Sequence, residues 1–209
     1  MTPGVCAHRA RRRSRKEIAF RRGARICCET SMTHAATSIE LVRHAKAQSR
    51  DRWWGKPDRD RPLTKSGRAQ SKSLAVDLSI HPISRILTSP FTRCVQTVEP
   101  LADRLGMDIE LAEALGEAPS VPVLDAGDTW VASAWLGGRA LALLDQLVAD
   151  NAGDHVVMCS HGDIVPSLMA ALAGRDGIDV DDVHLKKGAR FQLQFKAAKC
   201  VAVEGVPAP

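Results

Sequence analysis

One stretch organises the predicted fold: Ile39-Glu40-Leu41-Val42-Arg43-His44-Ala45-Lys46-Ala47, a short apolar run that ends in an arginine and a histidine. Such a run predicts a buried strand that delivers the two basic residues into a loop at its carboxyl end. Imidazole can act as a nucleophile toward phosphorus, and a neighbouring guanidinium binds phosphate oxygens through paired, charge-assisted hydrogen bonds. An Arg-His pair alone is more typical of a solvated loop end than of a catalytic site, so its interpretation depends on the rest of the chain.

Two later stretches repeat this arrangement of an apolar run followed by a loop with a basic residue. They are Leu87-Thr88-Ser89-Pro90-Phe91-Thr92-Arg93-Cys94-Val95-Gln96-Thr97 and Val156-Val157-Met158-Cys159-Ser160-His161-Gly162-Asp163. Open α/β sheets bind their ligands at the carboxyl ends of strands. The three loops therefore bring two arginines and two histidines toward one predicted site.

The three motifs resemble those of the histidine phosphatase superfamily, which has the phosphoglycerate-mutase-like fold. In that family the first motif is Arg-His-Gly, the second is Ser-Pro-x-x-Arg with a following Gln-Thr, and the third is a His-Gly after a strand. The resemblance implies an α/β fold of three layers, with a mostly parallel central sheet and helices on both faces. It implies a histidine-type phosphatase of the phosphoric monoester hydrolase class. The catalytic residues it implies are His44, Arg43, Arg93 and His161.

The mechanism that the resemblance implies needs no metal and no other cofactor. His44 would attack the phosphoryl group in line, while Arg43, Arg93 and His161 would bind its three equatorial oxygens. Water would then hydrolyse the phosphohistidine on His44. Cationic side chains would do the work that a magnesium ion does in other sites, and the sequence shows no acidic metal-binding cluster.

The proton donor is expected in the segment Ala112-Glu113-Ala114-Leu115-Gly116-Glu117. Breaking a phosphoester requires a proton on the leaving oxygen, and a carboxyl that a partly buried, anion-rich site keeps protonated can supply it. The superfamily commonly has Leu-x-Glu here, which implies Glu117 as the donor and leaves Glu113 as the second choice. A solvated glutamate at a helix end is the alternative. Some small members that resemble the phosphohistidine phosphatases manage without an acid here.

Two alanines depart from the family pattern, Ala45 where glycine is usual and Ala47 where larger members have a hydroxyl residue. Alanine at these places is similar to the small phosphohistidine-phosphatase branch and to histidine-phosphatase domains that accompany Nudix hydrolases in actinobacteria. The Arg-x-x-Trp loop and the run Arg61-Pro62-Leu63-Thr64 look most like the latter. The short separation of Glu117 from His161 leaves little room for the lid of a phosphoglycerate mutase, so a mutase is not expected.

The expected substrate is a phosphohistidine protein or a small phosphorylated metabolite such as a nucleotide. Trp53 and Trp54 lie in a polar loop near His44, where they could stack on a base or simply hold the loop on the domain. Two other classes of function remain open. One is a catalytically silent phosphate-binding module, and the other is a nucleic-acid-associated protein that acts through the basic leader.

The chain divides into a leader (residues 1–37), a phosphatase domain (38–197) and a tail (198–209). The net charge of +5 comes from the leader, because residues 1–31 contain nine basic and two acidic residues whereas the remainder contains 20 basic and 22 acidic. We interpret the leader as a disordered segment that a start at Met32 would remove, and we do not expect a nucleic-acid partner. No stretch is long and apolar enough for a membrane span. The six cysteines show no metal-binding spacing, so we expect reduced thiols in the cytoplasm.

The remaining elements follow from hydrophobic periodicity and from capping residues. The pattern predicts a helix that Thr64 caps, a strand over residues 85–89, a helix over 91–105 and an edge strand over 107–111. Further along, it predicts two helices within 129–149 that Gly137-Gly138 separates, a strand over 155–160, a helix from 164 that Gly174 ends, and a last strand over 189–195.

Overall fold

The computed structural model describes residues 36–117, 129–150, 152–180 and 182–209. The predicted leader therefore lies outside the described residues, apart from its last two positions. In the described part of the chain, six strands form one sheet, namely β1 (Thr37–Arg43), β2 (Ile83–Thr88), β3 (Ile109–Leu111), β4 (His155–Ser160), β5 (Arg190–Lys196) and β6 (Lys199–Val206). Their order across the sheet is β3-β2-β4-β1-β5-β6.

The sheet is mostly parallel, as the sequence predicted. The pairs β1 with β4, β4 with β2 and β2 with β3 are parallel, whereas β5 is antiparallel to β1 and β6 is antiparallel to β5. All six residues of β4 are buried. A parallel strand that is covered on both faces reads as a continuous apolar run, which is why β4 was recognisable in the sequence.

Four helices cover the two faces of the sheet: α1 (Lys65–Leu78), α2 (Thr92–Leu105), α3 (Thr129–Asp150) and α4 (Ile164–Asp176). The helices α3 and α4 pack with Val156 and Met158 in one hydrophobic core, and α1 and α2 pack with Val157 and Cys159 in a second core. Alternate residues of β4 thus serve opposite faces. The predicted three-layer α/β fold is confirmed.

The antiparallel hairpin of β5 and β6 corrects the prediction of a tail over residues 198–209. Residues 199–206 pair along the whole of β5, and Cys200 is buried beneath the hairpin. The turn between the strands contains Ala197, which has a φ of 52°. Tight hairpin turns with positive φ usually carry Asn or Gly, so an alanine there gave no turn signal in the sequence.

The two glycines predicted to separate helices lie inside one continuous helix, α3. A Cβ added to Gly137 would lie 2.6 Å from the carbonyl oxygen of Ser167 in α4, whereas one added to Gly138 would meet nothing within 4 Å. Gly137 therefore marks a close crossing of two helices and not a break. A second correction concerns α4, which continues through Gly174 and is ended by Gly177 in the left-handed conformation (φ 70°).

Thr64 caps α1, as predicted, because its side chain accepts a hydrogen bond from the backbone N–H of Gly67. Cys94, Cys159 and Cys200 are free and buried. Among the described residues, none of the helices is both long and apolar enough to cross a membrane.

Candidate active site

The parallel register brings the three predicted loops together at one edge of the sheet. Arg43 of β1 lies opposite Ser160 of β4, and Thr88 of β2 lies opposite Cys159. The pairing continues into the loops, since the backbone N–H groups of His44 and Ser89 donate to the carbonyls of Ser160 and Cys159. The structure thus brings the side chains of the three motifs into one cluster.

His44 is a buried, neutral imidazole, and its hydrogen-bond partner determines which ring nitrogen is unprotonated. Its Nδ1 lies 2.7 Å from the carbonyl oxygen of Ala45, a partner that can only accept, so Nδ1 carries the proton and Nε2 carries the lone pair. The side chain is 5% exposed. Burial chiefly, with the nearby charges of His161, Arg93 and Arg43, lowers the pKa of His44 to about 3 against a smaller opposing effect of the Ala45 carbonyl. The imidazole is therefore available as a nucleophile near neutral pH.

The Gln-Thr pair of the second motif fixes the loop that carries His44. Thr97 accepts a hydrogen bond from the backbone N–H of Ala45 at 3.0 Å, and its own hydroxyl donates to the carbonyl of Arg93 at 2.7 Å. Gln96 accepts from the backbone N–H of Leu63 at 2.9 Å. These two side chains of α2 accept hydrogen bonds from backbone N–H groups of neighbouring loops and do not line the pocket. The motif alone did not indicate this role.

Arg43 lies directly against Gly162, the glycine of the third motif. A Cβ at position 162 would lie 2.4 Å from Nη2 of Arg43, far inside contact distance. Arg43 also donates to the backbone carbonyl of Leu185, while its buried Nε has no hydrogen-bond partner. The glycine is therefore needed for the position of the guanidinium, and one guanidinium donor remains uncommitted.

Arg93 is fully buried in the first turn of α2. Its Nη1 donates to the carbonyl of Asp58 at 2.9 Å and lies 3.0 Å from Oδ2 of the same residue. Its Nη2 forms an ion pair with Oε1 of Glu117 at 2.9 Å, and its guanidinium lies 4.7 Å from the ring centroid of Phe91. Asp58 was not predicted as a site residue, because an aspartate in a charged loop belongs to no recognisable sequence motif.

His161 is held on both ring nitrogens. Its Nε2 lies 2.7 Å from Oγ of Ser89 and 3.4 Å from Sγ of Cys94, and its Nδ1 lies 3.2 Å from Oε1 of Glu117. Burial by itself would lower the pKa of His161, but the contacts with Cys94 and with the Glu117 carboxylate outweigh it and raise the pKa to about 9. Since burial also raises the pKa of the Cys94 thiol well above its usual value, we attribute the charge of His161 to Glu117.

Glu117 lies in the pocket, whereas Glu113 does not. The Glu113 side chain is 69% exposed and pairs with Nη2 of Arg59 at 2.9 Å. Burial raises the pKa of Glu117, yet His161 and Arg93 outweigh it and lower the pKa to about 2. The environment is thus cation-rich and the carboxyl is ionised, which contradicts the expectation of a carboxyl kept protonated by an anion-rich site.

A pocket of about 410 Å³ opens above these groups. Beyond the predicted residues, its lining includes three cationic side chains that the sequence analysis did not assign, namely Arg50, Arg61 and Lys187. Burial and the charges of Arg43, Arg61, Lys46 and Arg50 lower the pKa of Lys187, which shows how much positive charge collects here. Lys187 precedes the antiparallel strand β5, so its loop lies at the edge where β1 ends. Among the described residues, no group of three or more His, Cys, Asp or Glu side chains could hold a metal ion.

Sequence comparison extends these observations. The model of the histidine phosphatase superfamily (branch 1) matches residues 39–120 and 133–205. An 8-oxo-(d)GTP phosphatase of Mycolicibacterium smegmatis is 26% identical over 172 residues, which are 82% of this chain and 48% of that protein. The chain thus spans about half the length of this curated relative.

Solved structures of similar fold include three enzymes below 25% identity. A mycobacterial glucosyl-3-phosphoglycerate phosphatase superposes with a TM-score of 0.60 at 19% identity, over 83% of this chain and 99% of that one. A phosphoserine phosphatase from Entamoeba histolytica gives 0.64 at 18%, over 82% and 98%. A phosphoglycerate mutase from Bacillus anthracis gives 0.64 at 15%, over 83% and 94%. These likenesses show the fold.

Proposed function

This chain belongs to the histidine phosphatase superfamily, and we propose that it is a phosphatase that transfers a phosphoryl group to His44 and releases it to water without a metal. The observation that carries the proposal is the state of His44. Its Nδ1 proton is committed to the Ala45 carbonyl and its pKa is lowered to about 3, which leaves an unprotonated Nε2 beside a cationic pocket. Such a nitrogen can attack phosphorus without prior loss of a proton.

The equatorial oxygens of the phosphoryl group would bind to Arg43, Arg93 and His161. Three buried guanidinium nitrogens of these arginines have no hydrogen-bond partner among the described residues: Nε of Arg43, and Nε and Nη2 of Arg93. Of these, Nη2 of Arg93 has only its ion pair with Glu117. Leaving a buried charged donor unpaired is costly, and a phosphate oxygen would satisfy it. These fixed donors would stabilise the charge that develops as the phosphoryl group moves between its donor and His44.

Glu117 would protonate the leaving oxygen and later activate water. Its low pKa comes from ion pairs with Arg93 and His161, the same cations that a phosphoryl group would engage. When phosphate oxygens bind to these cations, they neutralise the positive charges that keep Glu117 deprotonated. Substrate binding would therefore raise the pKa of Glu117 and prepare it to donate.

A small phosphorylated molecule fits the site better than a phosphohistidine protein. The pocket volume of about 410 Å³ falls in the range of about 300–1,000 Å³ that is typical of small-molecule sites. The named relatives point the same way, since an 8-oxo-(d)GTP phosphatase and a glucosyl-3-phosphoglycerate phosphatase are named for phosphorylated small molecules.

The test is phosphate release in the presence of EDTA from an aryl phosphate, a phosphohistidine protein, sugar phosphates and nucleotides. The His44→Ala variant should lose at least about 10³-fold in kcat, as removal of a nucleophile does elsewhere. The control is His81→Ala, which alters a histidine whose ring stacks on His155 at 4.8 Å, outside the residues that line the pocket. Rapid quenching of labelled substrate in alkaline detergent, which preserves the acid-labile N–P bond of phosphohistidine, should trap phosphate on His44. Retained activity in His44→Ala, or label on another residue, would overturn the proposal.

The role of Glu117 has its own test. Glu117→Gln should lower kcat/KM, which reports phosphoryl transfer to His44 and not the later hydrolysis of the intermediate, much more for an alkyl phosphate than for an aryl phosphate. The reason is that a good leaving group needs less help from an acid. Glu113→Gln serves as the matched control and should change neither rate. An equal loss with both leaving groups would show that Glu117 binds or positions groups and does not donate the proton.

A further inference from the structure

A second pocket adjoins the phosphate site. It has a volume of about 380 Å³ and is lined by Arg50, Trp53, Trp54, Gly55, Lys56, Asp58 and Glu117. Arg50 and Glu117 also line the first pocket, so these two side chains form the boundary between the pockets. We call the second cavity the tryptophan pocket.

The position of Glu117 indicates which part of a substrate would reach the tryptophan pocket. In the proposed reaction, the leaving oxygen lies opposite Nε2 of His44 and receives its proton from Glu117. The group attached to that oxygen therefore lies on the Glu117 side of the phosphoryl group. Because Glu117 is shared by both pockets, this leaving group is directed toward the two tryptophans.

The two tryptophans differ in what holds them. Trp53 donates from Nε1 to the carbonyl of Pro57 at 2.9 Å, and Nζ of Lys56 lies 4.5 Å from its ring centroid, so this side chain fixes the loop. Trp54 is 88% exposed and takes part in none of the hydrogen bonds or ring contacts found among the described residues. A fixed loop thus holds a large aromatic face in solvent at the mouth of the site. Binding a flat group there would remove that face from water.

We propose that the tryptophan pocket binds the base of a nucleoside phosphate by stacking on Trp54, with the reacting phosphoryl group at His44. The inference rests on the proposed phosphatase function and specifies its substrate class. A base offers the flat π-face that Trp54 can cover. Arg50 at the boundary pairs with Asp58 and Glu117 at 3.7 and 3.6 Å, and a further phosphate between the base and the reacting group would replace these partners.

The test compares substrates that differ only in the base. Guanosine and cytidine 5′-monophosphates are set against ribose 5-phosphate, which has the same leaving oxygen, and the diphosphates are set against pyrophosphate. Stacking on an aromatic side chain contributes about 1–3 kcal/mol per base, which converts to roughly 5- to 150-fold. Wild-type kcat/KM should favour the nucleotides by a factor in this range.

Three substitutions at one position separate stacking from simple apolar contact. Trp54→Ala should lower kcat/KM for the nucleotides about tenfold or more, mainly through KM, while it changes the value for ribose 5-phosphate less than twofold. Trp54→Phe should restore most of the nucleotide preference, and Trp54→Leu should not. In the inactive His44→Ala background, nucleoside monophosphate should quench tryptophan fluorescence, and Trp54→Phe should remove most of that quenching.

The outcomes distinguish the base pocket from the phosphatase itself. If wild type hydrolyses ribose 5-phosphate and the nucleotides equally and Trp54→Ala changes neither, the base pocket is wrong while the phosphatase stands. An equal loss with every substrate would also overturn the proposal, since Trp54 would then support the site as a whole. If wild type releases phosphate from none of them, or His44→Ala retains the activity, the proposed function fails first.

Discussion

Two charged clusters lie on the same strand, three residues apart, and they differ in how their charge is balanced. In the first, Glu40 is fully buried, with its Oε1 3.0 Å from Nε2 of His155 and its Oε2 2.8 Å from Nε of Arg190. We call this set the Glu40 cluster. Each oxygen of the Glu40 carboxylate thus has a basic partner within the protein, so the charge of this carboxylate is compensated there, although Nη1 of Arg190 has no hydrogen-bond partner among the described residues.

The second cluster, at the end of β1, has more cations than carboxylates. Its cations are Arg43, Arg93 and His161, and Arg61 and Lys187 add positive charge in the lining of the pocket. Arg93 pairs with Asp58 and Glu117, and His161 pairs with Glu117. Removing charges from water is tolerated only when they are paired. We therefore propose a structural role for the Glu40 cluster and an anion-binding role for the cluster at His44, although both contain Glu, His and Arg.

The largest expected effect comes from breaking the Glu40 cluster. Glu40→Ala would leave Arg190 buried without its carboxylate, which we expect to lower the free energy of unfolding by about 3–5 kcal/mol. Urea unfolding would measure this loss. The kcat of the remaining folded enzyme should stay within about threefold, because Glu40 does not line the pocket. A stable Glu40→Ala variant with severely reduced kcat would contradict the division of roles.

A smaller effect, confined to the site, is expected from Gly162→Ala. The added Cβ would lie 2.4 Å from Nη2 of Arg43 and would push the guanidinium out of place. A misplacement of about 1 Å can cost about 10²-fold in rate, so we expect a loss in kcat/KM of that order with little change in stability.

The matched control is Gly174→Ala in α4. A Cβ at position 174 meets nothing within 4 Å, and alanine in a helix interior is favoured over glycine by about 0.5–1 kcal/mol. This variant should be slightly stabilised and fully active. If both alanine variants behave alike, the contact between Arg43 and Gly162 does not limit catalysis.

How much the sequence revealed depends on how local the signal was. Buried parallel strands appear in the sequence as apolar runs. The loops that follow three of these runs contain Arg43, His44, Arg93 and His161, and the structure brings these residues together. Lys187 and Asp58 were not assigned, because their place in the site depends on the antiparallel return of β5 and on the path of a polar loop. Neither feature leaves a periodic pattern in the sequence.

The protonation state of Glu117 shows the same limit. The chemistry of a leaving group calls for an acid, and the Leu-x-Glu pattern predicted Glu117 for this role. The charge around this carboxyl depends on contacts with Arg93 and His161 across the fold, which the pattern does not contain. Gly137 is a second example of this limit. In the sequence it predicted a break between two helices, but in the structure it is the point where α3 contacts Ser167 of α4.

The acid stability of the protein should report on His44. In the folded state its pKa is lowered from 6.5 to about 3, so between these values the unfolded chain binds a proton that the folded protein does not. The contribution of His44 to stability is therefore complete above pH 6.5 and falls as the pH drops toward 3, by up to about 1.4 kcal/mol per pH unit. His161, whose pKa is raised to about 9, is protonated in both states through most of this window and works in the opposite direction above pH 6.5.

The measurement is urea unfolding at pH 6.5 and at pH 4.5 for wild type and His44→Gln. The variant should lose less stability than wild type over this interval, and the difference isolates the His44 proton from all other groups. Glu117, whose pKa falls from 4.5 to about 2 on folding, begins to contribute at pH 4.5, but it does so in both proteins and cancels in the difference. Parallel losses in the two proteins would mean that His44 does not resist protonation in the fold.

The smallest effect tests the comparison most directly, because it uses the uncompensated positive charge of the side chains around His44. Inorganic phosphate at ten times its dissociation constant should stabilise the protein by about 1.4 kcal/mol, a rise in Tm of a few degrees. At constant ionic strength, Lys187→Gln should weaken this effect, because Lys187 lines the pocket. The control is Lys196→Gln at the opposite end of β5, which changes the net charge equally and should leave the phosphate effect intact. If both lysine variants lower it alike, the anion responds to overall charge, and the contrast between the two clusters on β1 loses its functional meaning.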